Sequence, residues 1–216
     1  EYSQRFLELE EKMKMEINSC NTYSKIINIG CVNCIYNCHL KPHISQLMNK
    51  HTNICLNVIL DHSRHLLNRL HDNSIDVCFS YLATNEISYK CIPYKTDEII
   101  FVTNSQNIQF SNGIHNGEIL HLPIIYSKFM PKSGFDWIHD IFPPHYVFQF
   151  TISVIKEIIP FLLQYPYYAF LPRKLIEKEL KDGLLIEIPL LDYHIPPLQS
   201  YIIMKSNAKY NPLDYF

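Results

Sequence analysis

Two periods of apolar spacing alternate along this chain, and each switch between them marks an element. Ile26, Ile27 and Ile29 make a short apolar run closed by Gly30, the pattern of a buried strand. A helix is expected from about Asn33 to Asn49. Ile54 to Leu60 repeats the strand pattern, and Ser63 can cap a helix whose apolar face holds Leu66, Leu67 and Leu70. Ile75 to Phe79 reads as a third strand. Strands alternating with helices of this length predict crossover connections and a parallel sheet.

Further strands are expected at Ser88 to Ile92 and Glu98 to Thr103, followed by an Asn-rich polar stretch from Asn104 to Asn116 that reads as a lobe boundary. The strand–helix pattern then restarts, with strands at Pro123–Tyr126, Val147–Thr151, Tyr167–Leu171 and Leu184–Ile188. Helices are expected between them at Gly134–Phe142, Ser153–Gln164 and Arg173–Lys181. A last strand, Tyr201 to Met204, can return to the first lobe. The expected fold is therefore α/β, two Rossmann-like lobes joined by hinge strands. Residues 25–103 with 201–216 form lobe I, and 104–200 form lobe II. Ahead of them, Phe6, Leu9, Met13 and Ile17 recur at helical spacing, so residues 1–24 read as an amphipathic helix and a polar linker.

Composition narrows the function. Hydrophobic residues at 47% and charged residues at 19% fit a packed domain, and a net charge of −2 carries no electrostatic footprint for nucleic acid. No apolar run is long enough to cross a bilayer. Seven Cys, an odd number at low density, favour reduced thiols in a cytoplasm over a disulfide scaffold.

Catalytic chemistry finds little footing. The chain lacks a Gly-x-Ser-x-Gly elbow, a glycine-rich phosphate loop and a His-Glu-x-x-His pair. Asp136 and Asp140, near Trp137 and His139, read as a solvated helix face. The sharper cluster is Cys31, Cys34, Cys38 and His39, where Cys34 and Cys38 stand one helical turn apart. Thiolates with imidazole suit zinc, so Cys34, Cys38 and His39 form an alternative metal set, and thiol redox sensing is a second alternative. Against both, no second Cys pair completes a structural site, and no metal or cofactor is expected.

The order of short motifs resembles the effector-binding domain of LysR-type transcriptional regulators, a periplasmic-binding-protein-like fold. Gly30 matches the small residue ending the first strand, and Pro42 a proline early in the first helix. Asp76 in Ile75-Asp76-Val77-Cys78 matches the family's Leu-Asp-Leu-Ala strand. Asp97-Glu98 resembles the acidic pair before the first hinge strand. Phe170-Leu171-Pro172, Leu175, Glu179, Gly183 and Leu185 match the tail of the second lobe. The match spans residues 25–206. It departs at Tyr165-Pro166-Tyr167, where the family has a Gly-x-Gly turn, and at Val32 and Cys34, where it usually has Ser or Thr.

The resemblance implies a non-enzymatic sensor that works in the cytoplasm as a homodimer, or as a tetramer at full length. DNA would be met only through a separate N-terminal domain, and no membrane is involved. Ligands of such folds bind beyond the carboxyl ends of the strands, between the lobes. The expected ligand-binding residues are Asn33, Cys34, Ser80, Tyr81, Thr103, Ser127, Lys128 and Ser153, and the expected effector is small and polar or anionic. An extracytoplasmic solute-binding protein shares the fold and is the alternative function.

Overall fold

The computed structural model describes residues 25–127 and 137–208, together with Phe6, Leu7, Glu10 and Tyr23. Phe6, Leu7 and Glu10 are helical; the rest of the expected N-terminal helix lies outside the described residues.

The apolar run Lys25–Cys31 forms β1, with Ile27, Ile29 and Cys31 fully buried. The one polar residue in its middle, Asn28, is half-buried and fully engaged. Its backbone N–H and side-chain amide both donate to Asp76 Oδ2, at 2.7 and 3.1 Å, and its Oδ1 accepts from Asn57. A polar side chain is tolerated in a central strand when its hydrogen bonds are met in this way. Gly30 lets the helix at Ser63–His71 and the segment entering the third strand sit close, because a Cβ there would collide with Leu66 and Ile75.

After β1 come α1 (Asn33–Ile35), a π-helical turn (Tyr36–Leu40) and α2 (Lys41–Lys50), continuous in one axis. Then follow β2 (Ile54–Leu60), α3 (Ser63–His71), β3 (Val77–Ser80) and β4 (Tyr89–Asp97). The cap of α3 differs from expectation: His62 is the N-cap residue, without a side-chain cap bond, and Ser63 Oγ instead accepts the Tyr81 backbone N–H. β1, β2 and β3 are parallel, and β10 (Leu198–Lys205) enters antiparallel between β3 and β4, giving the sheet order β2-β1-β3-β10-β4.

The second lobe repeats this plan. β6 (Ile125–Ser127) and β7 (Phe150–Ile152) are parallel, and Ile124 bridges in parallel to Tyr168 at the start of β8 (Tyr168–Pro172). β5 (Ile99–Asn104) runs antiparallel to both β8 and β9 (Leu185–Glu187). Both lobes thus place an antiparallel strand from the other half of the chain beside three parallel ones. Helices α4 (Asn116–Ile119), α5 (Trp137–Ile141), α6 (Ile158–Gln164) and α7 (Glu177–Lys181) complete it.

Two expected boundaries move. Residues 99–103 were expected in lobe I, but β5 pairs wholly within the second sheet, and the returning strand begins at Leu198 rather than Tyr201. A hinge strand pairs where its apolar side chains find cover: five of the six β5 residues are buried. β3 and β8 are also buried on both faces, as central strands of a covered parallel sheet must be.

Candidate functional site at the strand ends

Register decides which loops meet. Cys31 pairs with Leu60 on one side and Phe79 on the other, so β1, β2 and β3 end level with one another. Asn33 and Cys34, Ser63, and Ser80 with Tyr81 therefore leave the first sheet along one edge. In the second lobe Ser127 pairs with Ile152, so Ser127 and Ser153 also leave side by side. Across the lobes, α1 packs against the 3-10 turn Ile155–Glu157 that follows Ser153. The π-turn packs against the turn Arg173–Ile176 after β8. Strand ends of both lobes thus face each other.

Thr103 does not join them. β5 is antiparallel to β8, and Thr103 pairs with Tyr168, the first residue of that strand. It stands about four residues, roughly 13 Å of strand, from the facing ends. Its hydroxyl is already spent, donating to the Tyr167 carbonyl at 2.7 Å and accepting from Asn107. The expectation failed because a strand-end rule derived for parallel strands was applied to the one that runs the other way. A surface hollow of about 500 Å³ opens at this far end, lined by Asn107, Phe110, Leu122, Pro123, Pro166 and Tyr168. It faces away from the paired strand ends.

The expected residues differ in freedom. Ser153 is exposed. Ser80 is fully buried and its Oγ accepts the Leu82 N–H, so it shapes the loop rather than offering a free hydroxyl. Ser127 is buried, and its Oγ has no hydrogen-bond partner among the described residues. Asn33 sits at the start of α1, whose first turn has no side-chain cap, and it accepts from Asn37. Lys128 lies outside the described residues, as does Asp136; Asp140 accepts the Tyr193 hydroxyl at 2.6 Å.

Below this edge lies a polar cluster. In a regular α-helix Cys34 and His39, five residues apart, would stand about 140° apart. The π-turn, in which the Lys41 N–H reaches back five residues to the Tyr36 carbonyl, swings the later residues round toward the first. Cys34 and Cys38 then lie with sulfurs 3.9 Å apart, and His39 Nε2 meets Asp97 Oδ1 at 2.7 Å. Cys34 and Asp97 are almost fully buried, and so is Tyr81. Burial, together with the Cys34 thiol and the Asp97 carboxylate, holds the Tyr81 hydroxyl well above its usual range. The bond to Cys34 and then burial push the Cys38 thiol far up. Buried thiols in apolar surroundings are ordinarily inert. The metal set meets its own obstacle, since His39 turns Nε2 onto Asp97. Among the described residues no group of three or more His, Cys, Asp or Glu is arranged to hold a metal ion.

Sequence reasoning missed the His39–Asp97 pair. Asp97 stood out only as half of an acidic pair, and nothing in local spacing brings it to a helix 58 residues earlier.

Two lobes, each a parallel sheet crossed by one antiparallel strand and opposed at their strand ends, define a periplasmic-binding-protein-like domain of the type 2 class. The family model for the LysR substrate binding domain matches residues 21–213, so the chain belongs to that family: it is the effector-binding domain of a LysR-type transcriptional regulator. Solved structures agree in fold. The BenM effector binding domain with its effector benzoate is 16% identical, with 89% of each chain covered and a TM-score of 0.64. The regulatory domain of CrgA from Neisseria meningitidis is 11% identical over 87% of this chain and 92% of that one, with a TM-score of 0.70. That of MexT, an activator in Pseudomonas aeruginosa, is 15% identical over 89% and 94%, with a TM-score of 0.67. No curated protein matches by sequence. No helix among the described residues is long and apolar enough to cross a membrane.

Proposed function

We propose that the effector binds between the lobes, at the level strand ends, and that Asn33, Cys34, Tyr81, Ser127 and Ser153 surround it. The observation that carries this reading is the opposition of α1 to the turn after Ser153, with the uncapped first turn of α1 supplying backbone N–H groups. Such groups favour an anionic or polar ligand atom. The domain acts as a sensor rather than a catalyst: the effector favours one lobe arrangement over another, and a DNA-binding domain elsewhere in the protein reads the difference.

Assembly is proposed as a homodimer, or a tetramer in the full regulator, built on the edge strand β2 and helix α3. Residues 55–59 of β2 are half-buried and its outer side is unpaired in the sheet order. Leu70 of α3 is core, at 1% exposure, and takes no part in that surface. The cytoplasm is the proposed compartment, supported by six free cysteines among the described residues. A thermal-shift screen of small metabolites tests the proposal: a binder that raises the melting temperature should be weakened by Ser153→Ala, which removes an exposed hydroxyl. Retention of full affinity in that variant and in Tyr81→Phe would count against the site.

A further inference from the structure

We infer that the hollow at the far end of lobe II is a second ligand site, suited to a flat ring that carries a positive charge. It measures about 500 Å³, within the range of pockets that hold small molecules. Two stretches to which the sequence gave no function meet at its wall. One is the Asn-rich stretch from Asn104, which lies inside lobe II rather than between the lobes, because β5 pairs wholly within the second sheet; Asn107, Gln109 and Phe110 line the hollow from it. The other is Tyr165-Pro166-Tyr167, where the resemblance to the family breaks and where Pro166 reaches the wall.

The loop is held in shape by its own side chains. Asn104 Nδ2 donates to the Leu162 and Leu163 carbonyls at 3.1 and 2.7 Å, and its Oδ1 accepts the Gln106 N–H. Asn107 Nδ2 donates to Thr103 Oγ1 at 3.1 Å. A wall fixed in this way leaves little ordering to oppose binding. Tyr168, at 2% exposure, lies deepest; Phe101 stacks on it at 5.6 Å and Phe110 meets it edge-on at 6.4 Å. Leu122, Pro123 and Pro166 add apolar surface, so a flat ring is the shape this wall accepts. Charge then sets the class. Glu118 brings an exposed carboxylate to the rim, and no Lys or Arg among the described residues lines the hollow. A carboxylate and aromatic faces both attract a cation, and neither attracts an anion. This preference is the opposite of the anionic one proposed for the cleft between the lobes.

The probe is tryptamine, titrated at pH 8 into the isotopically labelled chain beside indole-3-acetate, which has the same ring and the opposite charge. The hollow is open to solvent, so binding is expected at roughly millimolar strength and is read from amide chemical shifts rather than from melting. Amides of residues 104–110, 118–122 and 167–168 should move with tryptamine. Tryptamine should bind about threefold to tenfold more tightly than indole-3-acetate, the worth of an exposed ion pair joined to a cation–π contact. Glu118→Gln, which keeps the capping geometry of α4, should remove most of that preference. Equal binding of the two compounds by the wild type, or a preference unchanged in Glu118→Gln, overturns the charge assignment. Shifts confined to residues 33–38, 80–82 and 152–157, or no shifts at several times the millimolar range, overturn the site itself and leave the interlobe reading standing.

Discussion

His39 meets Asp97 across 58 residues of sequence, Nε2 to Oδ1 at 2.7 Å, with the carboxylate side chain at 1% exposure. The contact ties the first helix of lobe I to the last residue before the chain crosses into lobe II. His39→Ala should cost about 3 kcal/mol, because a buried charge loses its only described partner. Urea unfolding checks this. A loss below about 0.5 kcal/mol would mean that the carboxylate is compensated by another group.

Gly30→Ala should destabilise by about 1–3 kcal/mol, the usual cost of overpacking. The added methyl meets Ile75 and Leu66 side chains, both nearly fully buried, so neither can swing into solvent. The same unfolding measurement reads it, and a neutral result would mean that α3 shifts freely against β1.

Native thiol reactivity should divide the cysteines. Burial raises the Cys78 thiol to about 12 and holds Cys31 well above its ordinary value, while Cys38 is raised by its bond to Cys34. Among the described cysteines, an aromatic disulfide reagent at pH 8 should therefore reach the half-buried Cys55 and Cys91 first. Cys31, Cys34, Cys38 and Cys78 should react only on unfolding. Fast native labelling of Cys34 or Cys38, mapped by mass spectrometry, would revive the redox reading.

Acid should weaken the hinge through Glu98. The bond from Arg173 Nε, at 2.5 Å, lowers the Glu98 carboxyl below its ordinary value. A folded value below the unfolded one gives stability that is complete above the unfolded carboxylate range, about 4.3, and is lost as pH falls through the lowered folded value. Because both side chains are substantially exposed, the contribution is at most about 1 kcal/mol. Glu98→Gln should flatten that part of the stability–pH curve, and an unchanged curve would show that the pair contributes nothing in solution.

Local pattern made most of the fold readable. The apolar runs at 25–31, 54–60 and 77–80 became the three parallel strands, because a covered sheet demands such runs. Asp76 had meaning in the sequence only through resemblance, and the structure supplies the reason: it holds Asn28 in the middle of β1. Strand direction was not readable. Thr103 and Ser127 both end apolar runs, and only pairing reveals that β5 runs against β8 while β6 runs with it. The π-turn was equally hidden, since the single phase shift it brings is too small a signal to read within one short helical segment. With it went the His39–Asp97 contact.

The central claim is that ligand binds where the strand ends of the two lobes meet. Hydrogen–deuterium exchange with the first compound that raises the melting temperature tests it most directly. Amides of residues 33–38, 80–82 and 152–157 should gain protection together, because the proposed site lies where these segments of the two lobes oppose each other. Protection confined instead to residues 103–110 and 166–168, around the hollow at the far end of lobe II, would contradict the account.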